Sequence, residues 1–167
     1  MSVKYVVGDL VVAAKAGELD AIAHGCNCFN TMKSGIAPLI AKAFPKAFEA
    51  DQGTVKGDKS KLGSLSPAWQ EGILICNLYS QYNYTGRRQG KMDLNYEALD
   101  KSLSRFQAYI INEARVKGAW KHQMRVGIPK IGAGLAGGDW ELIYPIIEKN
   151  LAIFDTRVYV LKVEDVP

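Results

Sequence analysis

Short β-branched runs separated by segments of helical spacing constrain this chain most, because alternating strands and helices build a parallel or mixed sheet covered by its own crossovers. The strand-like runs are Val3 to Val7, Ala21 to Ala23 ending at His24-Gly25, Ile73 to Leu78, Met124 to Ile128 and Val158 to Leu161. Between them Ile36, Leu39, Ile40, Ala43 and Phe44 recur at helical spacing, Pro45 breaks the pattern, and a second helix is expected around Ala47. A longer helix is expected from Leu94 to Lys117, stopped by Gly118, and a last one from the cap Asp139 to about Asn150. Gln52 to Leu62 reads as an exposed loop, and Gln81 to Met92 as a connector long enough to carry function.

At 167 residues with 48% hydrophobic content, the chain suits one domain over residues 1–167, with no repeat or linker. No run of apolar residues is long enough to cross a membrane and no signal-peptide core follows Met1, so a cytoplasmic, membrane-free protein is expected. Three cysteines cannot all pair, and Cys26 and Cys28 lie too close for an ordinary bridge, which also suits a reducing compartment. The net charge of +4 is scattered apart from Arg87-Arg88, which argues against nucleic acid and is compatible with a phosphate-bearing small ligand.

Chemistry is expected where strand ends meet glycine or polar residues: Gly8-Asp9-Leu10, His24 to Asn27 with Ser34-Gly35-Ile36-Ala37, and Ile131 to Asp139. Glycines admit a ligand close to the backbone, and helix N-terminal amides offer donors to phosphate oxygens, so two such loops side by side suit a pyrophosphate. Gly132-Ala133-Gly134-Leu135-Ala136-Gly137 also satisfies the dinucleotide fingerprint G-x-G-x-x-G. Too little chain follows it to build the second half of a redox dinucleotide fold.

Taken in order, these segments resemble the macrodomain family over nearly the whole chain. That resemblance implies a three-layer α-β-α sandwich with a mixed, mostly parallel sheet. Gly8-Asp9-Leu10 is similar to the family's adenine motif, with Asp9 accepting from the adenine amino group. Asn27 stands where the family has the asparagine facing the distal ribose, and Ser34 to Ala37 and Ile131, Gly132, Ala133, Gly134, Leu135, Ala136 and Gly137 resemble the two diphosphate loops. His24-Gly25-Cys26-Asn27-Cys28 and the stretch holding Gln81, Tyr82, Tyr84, Gly86 and Arg88 are similar to the branch of ADP-ribose 1''-phosphate phosphatases found in yeast, bacteria and phages. This implies ADP-ribose or its 1''-phosphate as ligand, with no cofactor and no metal.

The departures are specific. The branch that removes ADP-ribose from glutamate or DNA bases uses a lysine and an aspartate where this chain has Gln81 and Ala136, and the three-glycine loop of another hydrolase branch is matched only by Gly35. On this reading His24, Asn27 and Asp139 are the catalytic candidates, with His24 as nucleophile or acid–base. Each has a plainer alternative: a buried strand-end histidine, a turn asparagine and a helix cap, and Asp9 likewise could be only a cap. His24, Cys26 and Cys28 alternate in the manner of metal ligands, yet no fourth ligand is apparent and His122 is far along the chain. A non-catalytic reader or scavenger of ADP-ribose or a related signalling nucleotide is the competing function, and an ADP-ribosyl hydrolase of protein or nucleic acid a third.

Overall fold

A computed structural model describes residues 3–116 and 123–167. The helix stop expected at Gly118, and His122, lie outside them. The strands are β1 (Val3–Val7), β2 (Ala21–Gly25), β3 (Leu65–Gln70), β4 (Ile73–Leu78), β5 (Arg125–Pro129) and β6 (Asp155–Val160); the helices are α1 (Leu10–Lys15), α2 (Ala37–Ala43), α3 (Pro45–Gln52), α4 (Tyr96–Val116) and α5 (Trp140–Leu151). One sheet runs β1-β6-β5-β2-β4-β3, with only β3 antiparallel to its neighbour.

Two-residue periodicity sorts the strand side chains onto two cores. Ala21 and Ala23 of β2 and Leu74, Cys76 and Leu78 of β4 pack with Leu99, Leu103 and Phe106 of α4 and Ile143 and Ile147 of α5. Ile22 of β2 and Ile73 and Ile75 of β4 face the other way, against Leu10 of α1, Ile40 of α2, Phe44 at the α2–α3 junction and Ala47 of α3. Both faces of β4 are covered, which is why it reads as an unbroken apolar run. The arrangement is the mixed, mostly parallel three-layer sandwich that the macrodomain resemblance implied.

Three details depart from the sequence reading. Leu65–Gln70 carries no strand signal because Ser66 and Pro67 interrupt it, yet it forms β3 at the sheet edge, where a residue without an N–H is tolerated. Helix α4 begins two residues later than its apolar pattern: Leu94 bridges Gln81, and Asn95 Oδ1 takes the amide of Ala98 at 3.0 Å as a cap. The polar stretch 52–62 is not all exposed. Lys61 is buried, its Nζ donating to Asn30 Oδ1 and Thr54 Oγ1. No described helix is long and apolar enough to cross a membrane.

Candidate ligand-binding and active site

Parallel pairing brings the carboxyl ends of β1, β6, β5, β2 and β4 to one edge of the sheet. From β2 the chain leaves toward β4 and β3, and from β5 toward β6. Their loops therefore part to opposite faces and leave a crevice at the topological switch point, where ligands of open α/β sheets bind. A cavity of about 550 Å³ lies there, within the range of small-molecule sites.

One wall is the β2–α2 loop. Asn27 shapes it, accepting the amide of Phe29 at 2.8 Å through Oδ1 and donating to Thr31 Oγ1 at 2.8 Å. The loop then passes through left-handed backbone at Asn30, Met32 and Gly35 (φ 56°, 43° and 62°). Met32 is a bulky residue in that region, and burial of its side chain in the α1–α3 core compensates. Asn27, Ser34, Gly35, Ile36 and Ala37 all line the cavity. No side chain caps α2.

The facing wall is the β5–α5 loop, closed on itself by Gly138 N to Gly132 O (2.8 Å) and Gly137 N to Gly134 O (3.0 Å). Gly132 has φ +77°, and a Cβ there would lie 2.9 Å from Leu94, so only glycine lets the loop settle on α4's entry. Ile131, Gly132, Gly134, Leu135 and Ala136 line the cavity; Ala133 and Gly137 are in the loop but not on the cavity wall.

The third wall is the long connector Gln81 to Met92, from which the resemblance implies Gln81 as a ligand-binding residue. Gly86 N donates to both carboxylate oxygens of Asp93 at 3.1 Å, which closes the long connector into a clamped loop and presents the turn Gly86–Gln89 to the cavity. Arg87 and Arg88 line it from there, with Lys33 and Lys130 from the two glycine loops. Neither guanidinium has an ion-pair partner among the described residues. The paired arginines were visible in the sequence, but nothing local said that the connector folds back over the β2 and β5 ends. Gln81 lines the same cavity, with its Nε2 held by the Asn83 carbonyl at 2.7 Å.

Of the three catalytic candidates only Asn27 reaches the cavity. Asp139 is exposed and caps α5, taking the Glu141 amide at 2.9 Å, outside the cavity wall. His24 corrects the expectation of an accessible imidazole: it is 0% exposed and points to the α3 face, on the same strand parity as Ile22. Asn77, its register partner on β4, donates through Nδ2 to the Ala47 carbonyl (2.9 Å) and Ser66 Oγ (3.0 Å). Asn77 Oδ1 therefore faces His24 Nε2 at 2.7 Å, and that nitrogen must carry the proton. Burial lowers the imidazole's pKa to about 4, partly opposed by the Asn77 bond, so at neutral pH the ring is uncharged.

The His24, Cys26 and Cys28 trio does not converge on a metal. His24 Nε2 is spent on Asn77, Cys28 Sγ donates to the Gln81 carbonyl at 3.5 Å, and burial pushes both thiols well up. Gly8, Asp9 and Leu10 lie at the carboxyl end of the edge strand β1, on the cavity's side of the sheet but beyond its wall. Asp9 Oδ1 caps α1 through the amides of Val11 (2.9 Å) and Val12 (3.1 Å), and Leu10 is buried.

No protein-family model matches the chain. It is 37% identical over 153 residues to a 17.5 kDa protein of the tk–vs intergenic region of Enterobacteria phage T4, with 89% of each chain covered. It is 28% identical over 184 residues to the ADP-ribose 1''-phosphate phosphatase of Debaryomyces hansenii, covering 95% of this chain and 99% of that one. Among solved structures, a macrodomain protein from Streptomyces coelicolor superposes with a TM-score of 0.66 at 22% identity, covering 95% of this chain and 98% of its own.

Proposed function

This chain belongs to the macrodomain family, and on that premise we propose that it binds ADP-ribose in the switch-point crevice and hydrolyses ADP-ribose 1''-phosphate to ADP-ribose and phosphate. Adenine lies toward Gly8, Asp9 and Leu10 at the end of β1, the diphosphate between the Ser34–Ala37 and Ile131–Gly137 backbones, and the distal ribose against Asn27 and Gln81. The observation that carries this reading is the charge of one cavity. Lys33, Arg87, Arg88 and Lys130 line it against two carboxylates, Asp51 and Asp93, the second of which is engaged by the Gly86 amide. The excess of two cations suits a diphosphate, which brings roughly two negative charges, and the guanidiniums of Arg87 and Arg88, engaged by no carboxylate among the described residues, suit a further phosphomonoester.

Phosphate release from ADP-ribose 1''-phosphate tests the reaction directly, and titration of ADP-ribose against AMP tests the placement. ADP-ribose is expected to bind at least about tenfold more tightly than AMP, because AMP leaves both glycine loops and the distal wall unfilled. Equal affinities would remove the diphosphate from the crevice. Replacing both Arg87 and Arg88 by alanine is expected to weaken the 1''-phosphate compound by about tenfold or more while ADP-ribose binding holds, since planar guanidiniums pair with phosphate oxygens. A parallel loss for the two ligands would place the arginines at the diphosphate instead.

A second reading, a non-catalytic binder of ADP-ribose, draws support from His24 standing outside the cavity. Absence of phosphate release from a protein that binds ADP-ribose would favour it. An ADP-ribosyl hydrolase finds less support, since Gln81 and Ala136 both line the cavity and neither can ionise.

A further inference from the structure

The interior between β2, β4 and α3 holds a continuous polar chain that the sequence does not announce. His24 Nε2 donates to Asn77 Oδ1, Asn77 Nδ2 donates to Ser66 Oγ, Ser66 Oγ and the Tyr79 hydroxyl lie 2.8 Å apart, and that hydroxyl donates to Asp51 Oδ1 at 2.7 Å. Every member is at least nine-tenths buried. The chain ends on a carboxylate whose second oxygen, Oδ2, is buried with no hydrogen-bond partner among the described residues, although Asp51 itself lines the cavity. A buried unpartnered carboxylate oxygen is costly, and at a ligand cavity it marks a place for a donor, which a water molecule can fill.

We propose that Asp51 is the acid–base residue of phosphate hydrolysis, acting through Oδ2 on the attacking water, and that His24 is a positioning residue at the far end of the chain that holds it. This rests on the phosphatase reading above. In the step, the water oxygen forms a bond to phosphorus and one of its protons passes to Asp51 Oδ2. The bond between phosphorus and the 1''-oxygen breaks, its electron pair stays on that oxygen, which takes up a proton from solvent, and Asp51 returns its proton to solvent. The charged and titratable groups facing the carboxylate are Tyr79 from the end of β4, Lys61 from the turn before β3, and Cys26 and Cys28 from the β2–α2 loop. Burial raises the Asp51 carboxyl, opposed by the Tyr79 bond and Lys61, which makes its ionised form a stronger base than an exposed aspartate. Asn77 accepts at one end and donates at the other, so no proton runs from His24 to Asp51. Its influence is on geometry.

Asp51→Asn keeps an acceptor for Tyr79 and removes the base. Steady-state turnover of ADP-ribose 1''-phosphate is expected to fall by at least about a hundredfold in kcat, with the ADP-ribose dissociation constant within about threefold of the parent. Turnover at the parental rate overturns the assignment, as does an equal loss of binding and kcat. Tyr79→Phe supplies a test that does not depend on the asparagine variant folding. Without the hydroxyl's bond the carboxylate is a weaker acid, so the acid limb of kcat/KM, followed from about pH 5 to about pH 8, must move to higher pH. An unmoved limb overturns the proposal. His24→Gln, which can still donate to Asn77, is expected to retain most of kcat, whereas His24→Ala lowers kcat more than it raises KM. If the parent releases no phosphate, the phosphatase reading itself has failed; if the parent does and Asp51→Asn matches it, only this assignment has.

Discussion

Acidification from about pH 7 to about pH 4 is expected to remove about 3 kcal/mol of folding stability through His24 alone. The imidazole's pKa is lowered from 6.5 to about 4 by burial, so in that window the unfolded chain binds a proton that the folded chain refuses. The contribution is fully present above the unfolded value and is lost as pH falls through the folded one. Other carboxylates titrate in the same range, so the measurement is a difference. Urea unfolding of the parent and of His24→Gln, compared at both pH values, should show the parent losing about 3 kcal/mol more than the variant. The glutamine amide can donate to Asn77 Oδ1 as the ring does, yet cannot take up the proton. Equal losses would mean that the ring is not shut away from water as its 0% exposure indicates.

Two glycines of the β5–α5 loop are expected to respond in opposite ways, although they lie only a few residues apart. A Cβ on Gly138 would stand 2.7 Å from the Gly132 carbonyl oxygen and 2.9 Å from Ile143, and closer still to Leu94. A backbone oxygen cannot rotate aside, so Gly138→Ala should cost about 3 kcal/mol of stability and loosen the loop with it. Gly134 has no atom within 4 Å of an added Cβ and is not among the positive-φ residues. Gly134→Val should therefore leave stability within about 1 kcal/mol of the parent. Its side chain enters the proposed diphosphate space, and ADP-ribose affinity should fall by about a hundredfold, or about 2.7 kcal/mol. Thermal unfolding and calorimetric titration of the two variants separate the effects. Parental binding by a folded Gly134→Val would take the diphosphate away from this loop.

Much of the site's frame was legible because it is local. Glycines after β5 and polar residues after β2 stand at strand ends whatever surrounds them, and the parallel pairing of β2 with β5 brings both to one crevice. Asp9 and Asp139 show the limit of such reading. A strand-end aspartate before a helix has the same local signature whether it caps or binds, and here both carboxylates are seen capping. His24 could have been placed by parity: it shares a strand face with Ile22, and a β2 buried on both sides turns that face into core. Asp51 also left a trace, since Phe44, Ala47 and Asp51 fall at helical spacing on the covered side of α3.

The succession of strands and helices outside β3, the apolar alternation that fills two cores, and the glycine loops that must pass close to a ligand were determined by the sequence itself, because each follows from backbone periodicity and sterics within a few residues. Which polar groups meet was decided only by the tertiary structure. Arg87 and Arg88 reach the crevice because Asp93 clamps their loop, and Asp51 meets the cavity because α3 docks across β4 and Tyr79 holds the carboxylate. Hydrogen bonds between residues far apart in the chain depend on how whole elements pack, and that packing leaves little mark on the residues that make the bonds.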